Sequence, residues 1–153
     1  MKRAPTNVSG IASVTQSGGF GTLLADRLSE AGVPIADPAR ETVKRILAER
    51  SVPYVGNPHD SGTGPPGNNA PNSRAALIAF QDDPSVGAAI YAETMYMWQA
   101  QGHLRQVEVE AHGRNPHLMC WEGGTATAPV IASLRAYGLI AFESMRQTVA
   151  AVS

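Results

Sequence analysis

Cysteine, net charge and long apolar segments are all scarce in this chain, and each absence excludes a class of protein. The single cysteine among 153 residues rules out a framework of intramolecular disulfides, so a reducing cytoplasm is the expected compartment. Twelve basic and thirteen acidic residues leave a net charge of −1. Because the basic residues are also scattered, we expect no nucleic-acid partner. No apolar run approaches the roughly 20 residues of a membrane span, and residues 1–10 lack the apolar core of a signal peptide, so no membrane association is expected.

The length of the chain predicts a single domain over residues 1–153. Its glycines and prolines cluster, most clearly in a long loop over residues 56–72 that is rich in glycine, proline and asparagine. This composition predicts irregular structure. A loop of this length in a small domain is either disordered or shaped for binding.

Hydrophobic periodicity predicts strands that alternate with helices. The predicted strands are Gly10–Thr15, Val33–Ile35, Val86–Ala92, His117–Trp121 and Leu139–Phe142. The predicted helices begin near Thr22, at Asp37-Pro38 as N-cap and first residue, and at Ser73, Met97, Val130 and Met145, with Gly32 and Gly138 as C-terminal caps. Their apolar faces include Ala39 and Leu47 in the second helix and Tyr137 in the fifth, and the expected core is Leu24, Leu28, Val43, Ile46, Leu77, Phe80, Ile90, Leu134 and Val149.

This alternation predicts βαβ units and a parallel sheet covered on both faces. We therefore expect a flavodoxin-like three-layer sandwich with a five-stranded parallel sheet of order 2-1-3-4-5. Ligands of such sheets bind outside the carboxyl ends of the strands, at the switch point between strands 1 and 3. The candidate ligand-edge residues are Asn57, His59, Asp60, Glu93, Gly123, Gly124 and Thr125.

A glycine-rich segment joins the first strand to the first helix. Glycines there permit positive φ and close backbone approach, and the N–H groups of the helix N-terminus attract anions. The segment predicts a phosphate or anion site, with a tight turn as the alternative. It is neither a Walker loop nor a dinucleotide fingerprint, and its serine does not lie in a nucleophile elbow. The candidate residues are Ser17, Gly18, Gly19, Phe20, Gly21 and Thr22.

The four histidines show no metal-ligand spacing, so no metal site is expected. His103 and His112 are expected on polar surface, while His117 and Cys120 lie in a predicted strand. His59 differs because it lies in the long loop, beside Asp60. The surrounding residues miss the Asp-x-His-x-x-Gly pattern of cobalamin domains by one position, which disfavours that cofactor.

Several short motifs together carry a resemblance to a known family. They are the run Ser13–Gly21, Leu24-Ala25-Asp26, Ala31-Gly32, and Gly56-Asn57-Pro58 with Asp60. Over nearly its whole length the chain resembles the flavodoxin-like CoA-ligase subdomain of NDP-forming acyl-CoA synthetases, the superfamily of succinyl-CoA synthetase and ADP-forming acetyl-CoA synthetase. His59, the extension over residues 62–69 and the run Glu93–Trp98 depart from the family's usual sequence.

The resemblance implies part of a ligase that makes an acyl phosphate, passes the phosphoryl group to a histidine and forms an acyl-CoA thioester. The family's CoA-binding, phosphohistidine and ATP-grasp domains would be partners, and CoA and ATP or ADP with magnesium would serve the full enzyme. The chain alone would be inactive and would bind no cofactor tightly. Two alternatives stay open: a non-catalytic binding or interaction module derived from the family, and a small independent enzyme that uses His59 and Asp60 as an acid–base pair. The acyl substrate and homo-oligomerisation also stay open.

Overall fold

The structure, a computed structural model, describes residues 9–49, 55–62, 69–94, 109 and 113–153. The strands in these ranges are β1 (Ile11–Thr15), β2 (His59–Asp60), β3 (Ala88–Thr94), β4 (His117–Glu122) and β5 (Ile140–Phe142). The helices are α1 (Gly18–Glu30), α2 (Arg40–Glu49), α3 (Asn69–Asp82), α4 (Ala128–Ala136) and α5 (Met145–Val152), with a 3₁₀ turn at Gly124–Thr127. The helix predicted from Met97 lies outside the described residues except for Val109, which is helical and buried. No helix in the described ranges is long and apolar enough to cross a membrane.

The strands form one sheet of order β2-β1-β3-β4-β5, in which every pairing is parallel. All five residues of β1 are buried, as expected for a strand covered on both faces. The predicted flavodoxin-like architecture and strand order are confirmed.

The position of the second strand was predicted wrongly. Of Val33–Ile35, only Ile35 forms a bridge, to Ile11, and the edge strand proper is β2, inside the loop expected to be irregular. The side chain of Asn57 explains the change. Its Nδ2 donates to the carbonyls of Ile11 and Ala36 at 2.7 and 2.8 Å, and its Oδ1 accepts from the Ser13 N–H at 2.9 Å. Beyond the Ile35 bridge, the Asn57 side chain therefore supplies hydrogen bonds to β1 in place of the segment Val33–Ile35.

Two apolar clusters fill the space on the two faces of the sheet. One contains Leu24 and Leu28 of α1 and Met145 and Val152 of α5, and the other contains Ile46 of α2 and residues of α3 and α4. The expected core is buried except for Val43 and Val149, which are half-buried against it.

Two residues that were predicted on buried helix faces lie on the surface. Leu47 is 40% exposed because Ile46, one position earlier, points into the core. Tyr137 is 57% exposed because α4 ends at Ala136, and Ile131 contributes to its buried face instead.

The helix ends follow the predicted glycines but not the predicted start of α2. Gly32 and Gly138 have φ of 73° and 85°, and each closes its helix in a Schellman arrangement.

Helix α2 begins at Arg40 rather than at Pro38. The carboxylate of Asp83, from beyond α3, accepts the N–H of Ala39 at 2.8 Å and so supplies the cap that was predicted for Asp37.

Candidate functional site

The predicted ligand edge divides into two sites, one on each face of the sheet. His59 pairs with Val14 on β1, whereas Asp60 pairs with Thr15, one residue further along. Successive strand residues point to opposite faces, so these neighbours diverge. His59 lies with Phe80 on the α3 face, and Asp60 lies against the first residue of α1. The structure does not support an acid–base pair of His59 and Asp60.

On the α3 face, a buried polar network lies at the carboxyl ends of β1 and β3. The Gln16 side chain donates to the Tyr91 hydroxyl at 2.9 Å, and the Gln16 backbone N–H donates to Oε1 of Glu93 at 3.2 Å. The Tyr91 hydroxyl also lies near Glu93. Tyr91 and Glu93 are two residues apart on β3 and therefore share a face. Gln16 joins them across the switch point.

Two serines extend this network toward β2 and α3. The Ser61 hydroxyl donates to the carbonyl of Thr15 at 2.9 Å and lies 2.8 Å from the Ser73 hydroxyl. Ser73, near the start of α3, also lies near the Tyr91 hydroxyl. The network therefore runs from β2 through α3 to β3, and each of its side chains is at least nine-tenths buried.

Burial changes the proton affinity of the two acidic groups in this network. Desolvation raises the pKa of Glu93 to about 7. Hydrogen bonding with Tyr91 and with the Gln16 backbone favours the carboxylate and lowers this pKa, whereas the charge of Asp60 raises it further. Desolvation and the nearby Glu93 raise the pKa of Tyr91 well above its usual value. A carboxyl group with a pKa near 7 is suited to donate or accept a proton at neutral pH.

On the other face, the glycine-rich segment forms the N-terminus of α1, as predicted. Ser17 is the N-cap, but its side chain makes no capping hydrogen bond, and no acidic residue lies in the first turn. A Cβ at Gly19 would meet no atom within 4 Å, so there is space beside this residue. The Thr22 hydroxyl donates to the carbonyl of Gly18 at 2.9 Å and so points back into the helix.

The conformational reason predicted for these glycines is wrong. None of Gly18, Gly19 and Gly21 has positive φ, because α1 already begins at Gly18. Close approach is the reason that holds. A Cβ at Gly21 would lie 2.9 Å from Cγ2 of Thr15 and 3.2 Å from Cβ of Pro58.

Asp60 places a negative charge beside the N-terminus of α1. Its Oδ2 lies 2.8 Å from the position that a Cβ on Gly18 would take, and its Oδ1 accepts the N–H of Gly62 at 2.8 Å. Because helix N-termini favour negative charge, Asp60 partly offsets the attraction of this site for a second anion.

Three further predicted edge residues belong to the β4–α4 connection. Gly123 precedes the 3₁₀ turn, Gly124 has φ of 60°, and Thr125 is exposed. Asn57, by contrast, makes the structural contacts described above.

His59 is 1% exposed, and neither of its ring nitrogens has a hydrogen-bond partner among the described residues. Burial lowers the pKa of its imidazole.

The described residues contain no cluster of three or more His, Cys, Asp or Glu that could hold a metal ion.

Cys120 is buried, as predicted, and desolvation raises the pKa of its thiol to about 11. It is therefore unsuited to act as a thiolate nucleophile. His103 and His112 lie outside the described residues.

Comparison with solved structures finds the same fold in larger proteins. No family model matches the chain, and no curated protein matches it by sequence. Among solved structures, PH0766 from Pyrococcus horikoshii OT3 superposes with a TM-score of 0.79 and 18% identity, over 97% of this chain and 35% of that one.

The dinucleotide forming acetyl-coenzyme A synthetase 1 of Candidatus Korarchaeum cryptofilum gives a TM-score of 0.73 and 17% identity, both in its apo form and in complex with phosphate and ADP. The match covers 97% of this chain and 32% of that protein. The present chain thus spans about a third of these proteins, and the comparison confirms the fold that the resemblance implied.

Sequence reasoning found Glu93 but missed most of its network. Tyr91 could have been recognised as a polar side chain in a buried strand, two residues before Glu93 and so on the same face. Ser61 could not, because it was assigned to an irregular loop. Ser73 was placed only as the start of a helix. Their contact depends on how α3 packs over β1, for which the sequence carries no local signal.

Proposed function

We propose that the chain is a CoA-ligase domain of an NDP-forming acyl-CoA synthetase, an acid–thiol ligase. The observation that carries the proposal is the match of 97% of the chain to about a third of an acetyl-coenzyme A synthetase. The Ser-Gly-Gly-x-Gly motif agrees with it, since it forms the N-terminus of α1 at the predicted switch point. Partner domains with CoA-binding, phosphohistidine and ATP-grasp functions would complete the enzyme.

Within this enzyme the N-terminus of α1 would stabilise a phosphoryl group during its transfer. The uncapped N–H groups of the first turn and the open space at Gly19 support this role. Oriented backbone amides do not reorganise as charge develops, so they suit a group that arrives on a mobile loop and leaves again.

A second candidate is a non-catalytic module derived from the same family. The departures from the family's usual sequence favour it, namely His59, the extension over residues 62–69 and the run Glu93–Trp98. In that case the structural core of the family would be kept and the anion site lost.

Reconstitution tests the proposed function. Proteins encoded beside this chain that carry ATP-grasp and CoA-binding sequences would be purified with and without it, and ADP release would be followed with CoA and a panel of carboxylic acids. The proposal predicts ADP release that requires CoA, the acid and this chain. Equal activity without this chain would contradict it and support the non-catalytic module.

A further inference from the structure

A groove of about 1050 Å³ runs between α1 and α5, on the face of the sheet opposite the Glu93 network. Along α1 it is lined by Phe20, Leu23, Arg27 and Ala31, a spacing of three and four residues that forms one helical stripe. The core-facing Leu24 and Leu28 lie on a different side of α1. The apolar face of α1 is therefore wider than the part that packs against the sheet.

The groove starts at the ligand edge of the sheet. Thr94 and Glu122, the last residues of β3 and β4, line this end, and Phe20 lies one turn from the N-terminus of α1. From Phe20 to Ala31 the groove follows about 16 Å of helix, at 1.5 Å per residue. A ligand that reaches the edge can therefore extend along the helices.

The walls of the groove are mostly apolar. Leu23 is 47% exposed and is one of three large apolar side chains exposed among the described residues. Met145, Val149 and Ala150 of α5 line the other wall. Ligand sites are typically apolar clefts of this size with a few polar groups.

The charged groups of the groove favour an anion. Arg146 is exposed and makes no ion pair within the described ranges. Arg27 pairs with Glu30 of its own helix at 2.8 Å, but both side chains are more than half exposed, and such surface pairs contribute little and exchange easily. The carboxylate of Glu122 already accepts the N–H of Met145 at 3.0 Å, at the start of α5. Glu30 thus offsets Arg27, whereas no ion pair within the described ranges offsets Arg146.

We propose that the groove between α1 and α5 binds an apolar carboxylic acid, with its carboxylate at Arg146, at the start of α5, and its hydrocarbon chain against Leu23 and Val149. This rests on the proposed function and adds to it the substrate class. The acid that such an enzyme activates would be a medium-chain or longer acid rather than acetate.

Binding to the isolated full chain tests the site without any ligase activity. Hexanoate, octanoate and decanoate, each below its micelle concentration, would be titrated into labelled protein and followed by NMR. The amide signals of residues in α1 and α5 should shift, and affinity should rise about fourfold for each buried methylene. Decyltrimethylammonium, with a similar chain but the opposite charge, should bind at least tenfold more weakly than decanoate.

Matched variants locate the site. Leu23→Gln should weaken decanoate binding at least tenfold, whereas Leu47→Gln, at a similarly exposed leucine on α2, should leave it unchanged. Arg146→Gln should remove the preference for the carboxylate over the ammonium, whereas Arg27→Gln, near the other end of the groove, should keep it. A circular dichroism melt would confirm that each variant is folded.

Three results would overturn the proposal. One is the absence of saturable binding, or shifts outside α1 and α5. Another is equal affinity for the carboxylate and the ammonium. A third is a concentration-dependent dimer, by analytical ultracentrifugation, that Leu23→Gln disrupts, since a second copy would then occupy the groove.

Decanoate binding by a chain that adds nothing to the reconstituted ligase would keep the site and reject the proposed function. An active ligase without groove binding would reject the groove site and keep the proposed function.

Discussion

The backbone N–H of Gln16, at the end of β1, donates a hydrogen bond of 3.2 Å to the carboxylate of Glu93 on β3. Glu93 is only 5% exposed, so this bond lies in the interior at the switch point of the sheet. The Tyr91 hydroxyl accepts a hydrogen bond from the Gln16 side chain at 2.9 Å and lies near Glu93. A carboxyl group is thus fixed in position where the fold usually binds its ligand, while its surroundings disfavour its charge.

Protonation of Glu93 should make stability depend on pH. Its pKa is about 7 in the folded chain against 4.5 as the usual value. Between these values the folded state keeps a proton that the unfolded state has released, so stability falls as pH rises through this window and stays lower above it. The shift corresponds to about 3 kcal/mol.

The variant Glu93→Gln should remove this dependence, because the amide cannot ionise. The free energy of unfolding of Glu93→Gln minus that of the wild type should therefore be up to about 3 kcal/mol larger at pH 8 than at pH 4.5. Urea unfolding at both pH values measures this difference. The control Glu30→Gln, at an exposed glutamate, should stay within about 0.5 kcal/mol of the wild type at both pH values. Parallel pH profiles for wild type and Glu93→Gln would contradict the prediction.

Gly21 and Gly19 should respond differently to alanine, although both lie in the first turns of α1. A Cβ at Gly21 would press on Thr15 and Pro58, whereas one at Gly19 would meet nothing within 4 Å. Gly21→Ala should lower the free energy of unfolding by about 1–3 kcal/mol. Gly19→Ala should change it by about 1 kcal/mol or less, in the stabilising direction. Urea midpoints measure both, and equal effects would show that close packing is not what Gly21 provides.

Asn57 should be important for stability rather than for ligand binding. Asn57→Ala removes three hydrogen bonds to the backbone of β1 and Ala36, and we expect a loss of about 2–4 kcal/mol. Asn57→Asp should be no better, since a carboxylate oxygen would face two carbonyl oxygens. Thermal unfolding of both variants tests this. A loss below about 0.5 kcal/mol in Asn57→Ala would contradict it.

The sequence predicted the sheet order because each apolar run ends in turn residues and alternates with a helical pattern. It also predicted which loops meet at the carboxyl edge of the sheet, since topology alone fixes them. It could not predict that His59 and Asp60 face opposite sides. That result depends on the register of β2, which Asn57 sets by contacts with residues far away in the chain. The cap of α2 was missed for the same reason, since Asp83 reaches it from beyond α3.

The isolated chain should bind neither ATP nor CoA tightly. In the family that it resembles, the main binding surfaces for both belong to other domains, and this chain spans only about a third of the structures that it matches. Isothermal titration calorimetry should therefore detect no micromolar binding of either ligand. Micromolar binding of either one without a partner would favour an autonomous module.

Phosphate should bind at the N-terminus of α1, and Asp60 should limit its affinity. Titration of labelled protein with phosphate should shift the amide signals of residues 18–22, because these N–H groups lie at an uncapped helix end. Asp60→Asn removes a negative charge beside Gly18 and should strengthen binding about threefold to tenfold, with a smaller effect at high salt. Asp26→Asn makes the same change of charge further along α1 and serves as the control. If the signals stay unmoved in all three proteins, the glycines only make a tight connection, and the reason for assigning a share of phosphoryl transfer to this chain disappears.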